Sequence, residues 1–333
     1  METKHYNIPV FVPEEGCPNR CVFCNQFAIT NTPTAPHPSE IATITHQWLQ
    51  WFSHANRHVE LAFFGGNFTG ISLQKQEAYL KEAGNLLKSG LIDGIRISTR
   101  PDYIDAERID LLKKYGVTVV ELGAQSMNDD VLKASGRGHN ARQTVEATQL
   151  LQESEMDVVL QMMTGLPGDS PEGAMETARQ IVQLKPVATR IYPCLVMKHS
   201  LLEKLWHSNQ YIPQTLDEAV GLAASLVGFF ERHHTGILRI GLHPSSAHEV
   251  VAGPFHHAFS ELTEAEVWRR LLEPAIDFHR QSRSITIRCA PPSVNGVAGY
   301  NGINRKWLEK HFGTVKFIPD KTLTKRAFYV DYM

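Results

Sequence analysis

Short β-branched runs alternate with helical-period segments along most of this 333-residue chain, and that alternation limits the fold more than any other feature. Tyr6–Val12, Val59–Phe64, Gly94–Thr99, Val117–Leu122, Met156–Met163 and Arg190–Val196 read as buried strands. Helix candidates follow them at Ser39–His54, Leu73–Lys88, Asp105–Tyr115, Asn140–Ser154, Ser170–Leu184 and Leu216–His233, several opening on a Ser, Asp or Asn suited to capping. Repeated βα units require right-handed crossovers and a parallel sheet with its helices outside. Six such units predict an α/β fold, a partial (β/α)6 TIM-like barrel that stays open rather than closing on eight strands. Chemistry in parallel barrels gathers where strands end and loops begin, so the residues just after each strand should face one cavity.

The C-terminal third is less regular. Ile237–Leu242 looks like a further strand, and Ser284–Cys289, Val315–Ile318 and Ala327–Tyr332, with a helix over Asn304–Phe312, suggest a small mixed extension. The expected division is a barrel over residues 1–260 and an α+β extension over 261–333 packed on it. A 42% hydrophobic content over this length can bury one large α/β core and such an extension.

Cys17, Cys21 and Cys24 form a C-x3-C-x2-C segment directly after the first strand, at the expected barrel mouth. Three thiolates can hold three irons of a cubane iron–sulfur cluster, whereas a closed structural site takes four protein ligands. The iron without a protein ligand is then open to a small molecule. The competing reading is a zinc site completed by a histidine, with His5 or His37 the nearest candidates. Cys194 and Cys289 stand alone far downstream and read as small buried strand residues.

The second strand ends in Phe64-Gly65-Gly66-Asn67-Phe68. Paired glycines let a backbone approach a ligand that a Cβ would block, although a plain tight turn uses them equally well.

With Phe23 immediately before the last cysteine and the double glycine after the second strand, the chain resembles the radical S-adenosylmethionine (SAM) superfamily. The resemblance implies a [4Fe-4S] cluster on the three cysteines, with the SAM amino and carboxylate groups on the fourth iron. It further implies reductive cleavage of SAM to a 5′-deoxyadenosyl radical that abstracts a substrate hydrogen. Ser98-Thr99-Arg100-Pro101-Asp102, Glu121–Ser126, Gly136-Arg137-Gly138-His139 and Gly165-Leu166-Pro167-Gly168 are similar to barrel segments of Elongator protein 3 and oxygen-independent coproporphyrinogen III oxidase, over roughly residues 6–259. By this resemblance Gly65 and Gly66, with Asn67, meet the SAM amino group, while Ser98, Gln125 and Arg137 contact its ribose and carboxylate. Gln161 stands where some members carry an acid. Arg100 is a further cofactor candidate, because a buried cation at a strand mouth needs an anion and a SAM carboxylate would serve. Glu121 reads equally as a paired strand-end carboxylate or a functional one.

Four histidines, His243, His248, His256 and His257, fall within fifteen residues, but no carboxylate or cysteine completes a ligand pattern around them. His243, with Tyr192 from the preceding strand region, is expected to line the substrate cavity as a catalytic pair.

The formal net charge of −2 supplies no global attraction to nucleic acid, although a local basic face suffices for an RNA partner. The chain opens without a charged-then-apolar leader, and its longest apolar stretch, Leu222–Phe230, is interrupted by Ser225 and Gly228 and too short to span a bilayer. A cytoplasmic protein with no membrane association is expected. The wider cysteine spacing, basic amino-terminal arm and acetyltransferase domain of Elongator protein 3 are not found in the sequence, so the resemblance is to an acetyltransferase-less relative. Partners implied are SAM, a flavodoxin- or ferredoxin-like electron donor, and tRNA as a substrate. A small metabolite is the alternative substrate, and a non-enzymatic protein with a structural metal the third reading.

Overall fold

The computed structural model describes residues 3–13, 17, 21–25, 34–53, 56–242, 248–280 and 284–333. Its main sheet holds β1 (Lys4–Phe11), β2 (Arg57–Phe64), β3 (Gly94–Thr99), β4 (Val117–Gln125), β5 (Asp157–Thr164), β6 (Ala188–Pro193) and β8 (Gly236–Ile240), in that spatial order. Each neighbouring pair is parallel. Sequential parallel neighbours need helical crossovers, and the curled sheet they form is the expected partial barrel. The one addition is its seventh strand, β8, which overlaps the Ile237–Leu242 run.

Local chemistry fixes where the helices begin. Ser72 caps the helix Leu73–Lys88 by accepting from the Lys75 backbone N–H, and Asp105 does the same for Ala106–Lys114 through Arg108. Asn140 with Gln143, and Thr215 with Glu218, close reciprocal capping boxes at Ala141–Glu153 and Leu216–Arg232. Among the described residues the sequence reading missed the short helices Asp129–Ala134, Leu201–His207 and Val294–Ala298, each with under two turns to show a period, and also the longer helix Phe259–Leu272.

The strands divide their side chains between two environments. Leu61, Ile95, Ile97, Val120, Leu122, Leu160, Met162 and Ile191 join one apolar cluster with the helices. Their neighbours along the same strands, including Ser98, Glu121, Gln161 and Arg190, line the barrel interior. A period of two therefore builds the core on one face and a polar cavity on the other.

Beyond the barrel, β10 (Ser284–Cys289) pairs parallel with β11 (Thr314–Pro319) and antiparallel with β12 (Phe328–Tyr332). This mixed sheet covers a second cluster built on Trp268, Leu272, Ile285, Ile287, Leu308 and Phe312. The helix Phe259–Leu272 serves both cores, because Val267 belongs to the first and Trp268 to the second. A two-stranded antiparallel pair, β7 (Val196–Met197) with β9 (Val250–Ala252), flanks the barrel after β6. Among the described residues no helix is long and apolar enough to cross a membrane.

Candidate active site

The C-terminal ends of the barrel strands and the cysteine loop enclose a cavity of about 920 Å³. Cys17, Cys21, Phe23 and Cys24 line it from the loop after β1, Gly65 and Gly66 from the loop after β2, and Ser98 and Arg100 from β3 and the residue after it. Gln125, Arg137, Gln161 and Tyr192 complete the expected residues on its wall. Their sequence separation exceeds 170 residues, and the parallel topology alone brings them together. His243 lies outside the described residues.

Asn67 stands behind the wall. Its Oδ1 accepts from the Thr99 hydroxyl at 2.6 Å and from the Arg100 backbone N–H at 3.2 Å, and its side chain is buried. It fixes the start of the loop that presents Arg100, and it is not among the described residues lining the cavity.

Cys21 is buried, and its Sγ accepts a hydrogen bond from Arg137 Nη1 at 3.3 Å. That contact sets a guanidinium directly beside one of the three thiols of the loop. Arg137 Nη2 donates to the Gly123 carbonyl at 2.6 Å, while its buried Nε has no protein partner. Gly123 is what admits this side chain. A Cβ there would lie 2.8 Å from Arg137 Nη2 and 2.9 Å from Gln125 Nε2. Gln125 itself adopts φ of 65°, uncommon for a residue with a Cβ, and its Oε1 accepts from Gln161 Nε2 at 3.1 Å.

Arg100 is almost wholly buried and makes a bidentate pair with Asp102, Nε to Oδ1 at 2.9 Å and Nη2 to Oδ2 at 2.7 Å. Burial is the largest single influence and opposes its charge, but the hydrogen bonding and charge of Asp102, with the nearby Cys21 and Cys17, together outweigh it and raise the pKa. Among the described residues its Nη1 has no partner. Next to Arg137, burial and then the arginine charge push His139 down to about 3, so this imidazole is neutral at neutral pH.

Gly65 carries φ of 95°, and a Cβ on it would come within 3.3 Å of the Phe11 ring and 3.6 Å of the Val12 nitrogen. Gly65 is thus a position that only glycine fills without strain, at the lip of the cavity.

The floor is a chain of charges that sequence reading assembled only in part. Glu121, buried, meets Arg96 Nη1 at 2.8 Å and Arg190 Nε at 2.8 Å. Arg96 also pairs with Glu60 at 2.7 Å. For Arg190, burial is the largest single influence and opposes the charge, but Glu121 and Tyr192 together outweigh it, so its pKa is raised. Glu121 is therefore a paired strand carboxylate that also reaches the cavity wall. Gly123, Trp48, Met163, Leu195, Met197 and Arg239 are lining residues that sequence reading did not single out. A glycine in mid-strand was the one available signal for Gly123.

The residues present fit an iron–sulfur cluster and SAM. Three thiols share a wall, one is already hydrogen-bonded by a guanidinium, and two buried arginine nitrogens facing this region lack protein acceptors. Among the described residues no three His, Cys, Asp or Glu side chains converge tightly enough to hold a single ion. Cys194 and Cys289 are buried outside the cavity, and burial drives the Cys194 thiol up to about 12.

Known proteins are similar to this chain over most of the barrel. The model of the Radical SAM superfamily matches residues 11–181, and that of the Radical_SAM C-terminal domain matches residues 186–269. A tRNA uridine(34) acetyltransferase of Dehalococcoides mccartyi is 30% identical over 243 residues, 63% of this chain and 53% of that protein. Elongator complex protein 3 of Saccharomyces cerevisiae is 29% identical over 211 residues, 57% of this chain and 38% of that protein. The chain spans about half the length, or less, of these curated relatives. The solved Elp3 of Methanocaldococcus infernus, with an N-terminal deletion of residues 1–46, has the same fold. It superposes with a TM-score of 0.65 at 23% identity, over 83% of this chain and 65% of that one.

Proposed function

The chain belongs to the radical SAM superfamily, and from that premise we propose that Cys17, Cys21 and Cys24 hold a [4Fe-4S] cluster serving hydrogen abstraction from a tRNA substrate. The observation that carries the reading is the convergence of the three cysteines with Gly65, Gly66, Ser98, Gln125, Arg137 and Gln161 on one cavity. The family is one of enzymes that use SAM and an iron–sulfur cluster. When bound, these supply the one-electron cleavage of SAM, with the electron drawn from a flavodoxin- or ferredoxin-like donor.

The protein's own residues bind, orient and seclude. Arg137 holds the Cys21 sulfur in place through Nη1 and offers the unpartnered Nε to a carboxylate. Arg100, anchored by Asp102 on two nitrogens, offers Nη1 to the same anion. Gly65, lacking a Cβ, lets a ligand amino group reach the backbone carbonyls of the loop. Gln125 and Gln161, bonded to each other, present amide edges for ribose hydroxyls. Phe23 covers the loop side and limits water beside a reactive species. Tyr192 lines the substrate side and is the nearest described candidate for a group that touches substrate; His243, its expected companion, stays a candidate on sequence grounds.

The tRNA substrate is supported by the relatives' names, and a small metabolite by the near-neutral charge. One experiment separates them. The chain is reconstituted anaerobically with iron and sulfide, given SAM and a reductant, and assayed for 5′-deoxyadenosine with and without total tRNA. Stimulation by tRNA, falling steeply with salt, supports the first reading. Salt-insensitive turnover that ignores tRNA supports the second, and no 5′-deoxyadenosine under any condition sinks both.

A further inference from the structure

The β6–β8 side of the barrel carries a charge arrangement that the cofactor reading leaves unused. Arg190 on β6 and Arg239 on β8 are direct register partners of a parallel pair, and both side chains line the cavity. Like charges directly opposite each other repel unless anions stand between them. Arg190 has its anion, since Glu121 meets it at 2.8 and 2.9 Å. Arg96 is matched by Glu60 and shares Glu121. Three arginines thus face two carboxylates, and Arg239 is left over.

Among the described residues nothing neutralises it. Arg239 Nε donates to the Gly241 carbonyl at 3.0 Å, which fixes the plane of the guanidinium, and none of the ion pairs among the described residues includes Arg239. The neighbouring residues 243–247 contain no acid. The remaining nitrogens of a guanidinium held this way form a fork suited to two oxygens of one anion. The Tyr192 hydroxyl lies 3.4 Å from Arg190 Nη1, a second polar group on the same wall. Met163, Leu195, Met197 and Leu242 give that cavity an apolar ledge.

We propose that Arg239, supported by Arg190 and the Tyr192 hydroxyl, binds an anionic group of the substrate, a carboxylate or a phosphate, while an apolar part of the same molecule lies on Met163, Leu195 and Met197. The proposal rests on the radical SAM reading for the word substrate. It concerns a cation distinct from Arg100 and Arg137, which face the cysteine side.

The test is isothermal titration of the reconstituted full chain, with SAM present, using octanoate, octyl phosphate and octanol as probes. At least one anion is expected to bind, with octanol weaker by about tenfold or more. R239M should weaken the anion by about tenfold and R239K should recover part of that loss. R239Q replaces R239M if the latter does not fold, as judged by its unfolding midpoint. Preference for octanoate or for octyl phosphate supports the proposal and names the source of the anion. Octanol binding as tightly as the anions, an unchanged affinity in the charge-removing variant, or displacement of the probe by SAM overturns it. Formation of 5′-deoxyadenosine by the wild-type chain reports separately on the radical SAM reading. If that product is absent while the anion still binds through Arg239, the enzyme reading falls and the anion site stands.

Discussion

At the scale of single residues, Arg137 is the side chain on which most of the candidate site converges. It reaches Cys21 only because Gly123 leaves its path open, and the buried Nε it keeps unpartnered is costly without a ligand. Arg137→Met should raise the Kd for SAM by about tenfold or more, measured by equilibrium dialysis on reconstituted protein whose iron content is assayed alongside. An unchanged Kd would remove Arg137 from the SAM contacts, and a parallel fall in iron would assign it to the cluster instead. Asp169, after the Gly165–Gly168 turn, gives a pH signature. Burial lifts its pKa from 3.8 to about 6, against a hydrogen bond from the Ser170 N–H at 2.9 Å. Because the folded pKa is the higher, the native state keeps a proton that the unfolded chain releases between roughly pH 4 and 6. Stability contributed by this group is therefore full below that window and lost as pH rises through it. Asp169→Asn should flatten the pH dependence of the urea midpoint over the same interval, and an unaltered slope would show that the carboxyl is not held protonated.

At the scale of elements, the helix Phe259–Leu272 decides how the extension is attached. Trp268 is fully buried in the second cluster, its Nε1 donates to Glu264 at 2.8 Å, and the Arg326 guanidinium lies 5.3 Å from its ring. Arg326 also pairs with Glu231 at 2.7 Å, tying the extension to the helix Leu216–Arg232. We propose that the barrel unit ends near residue 260, at the entry to this helix, with the helix itself as the joint. Trp268→Ala should cost about 3–5 kcal/mol in urea unfolding, the usual penalty for emptying a large buried aromatic site. Hydrogen exchange should rise first in β10 and in the last turns of Leu216–Arg232. Loss confined to β10 would mean that the joint does not couple the two clusters.

At the scale of the whole molecule, the apolar core and the cysteine loop are separate investments. The main cluster draws on β1 to β6 and their helices, and none of the three loop cysteines belongs to it. A chain of this size with a continuous core does not need metal to fold, unlike small domains that are unfolded without it. The triple variant Cys17→Ser, Cys21→Ser, Cys24→Ser should therefore lose bound iron and sulfide yet keep its far-UV circular dichroism, with a Tm within about 5 °C of the wild type. Collapse of the fold would make the cysteines structural.

The strands, most helix starts, the glycine lip and the cysteine trio were legible because each depends on short-range pattern: period two or 3.6, a capping side chain, a fixed spacing of thiols. Gly94–Thr99 and Leu73–Lys88 appear with the bounds read from sequence. What sequence left open depends on groups from different strands meeting inside the barrel. Glu121 could be assigned no role until Arg96 and Arg190, from β3 and β6, were seen on either side of it. Asn67 was read as a cofactor contact from its place after the double glycine, and only the structure shows that its Oδ1 also braces Thr99 and Arg100. Arg239 carried no motif at all, since an unmatched cation is defined only by counting its neighbours in space. Local order is written in neighbours along the chain, whereas charge balance is a property of neighbours across it, and only the curled sheet decides which those are.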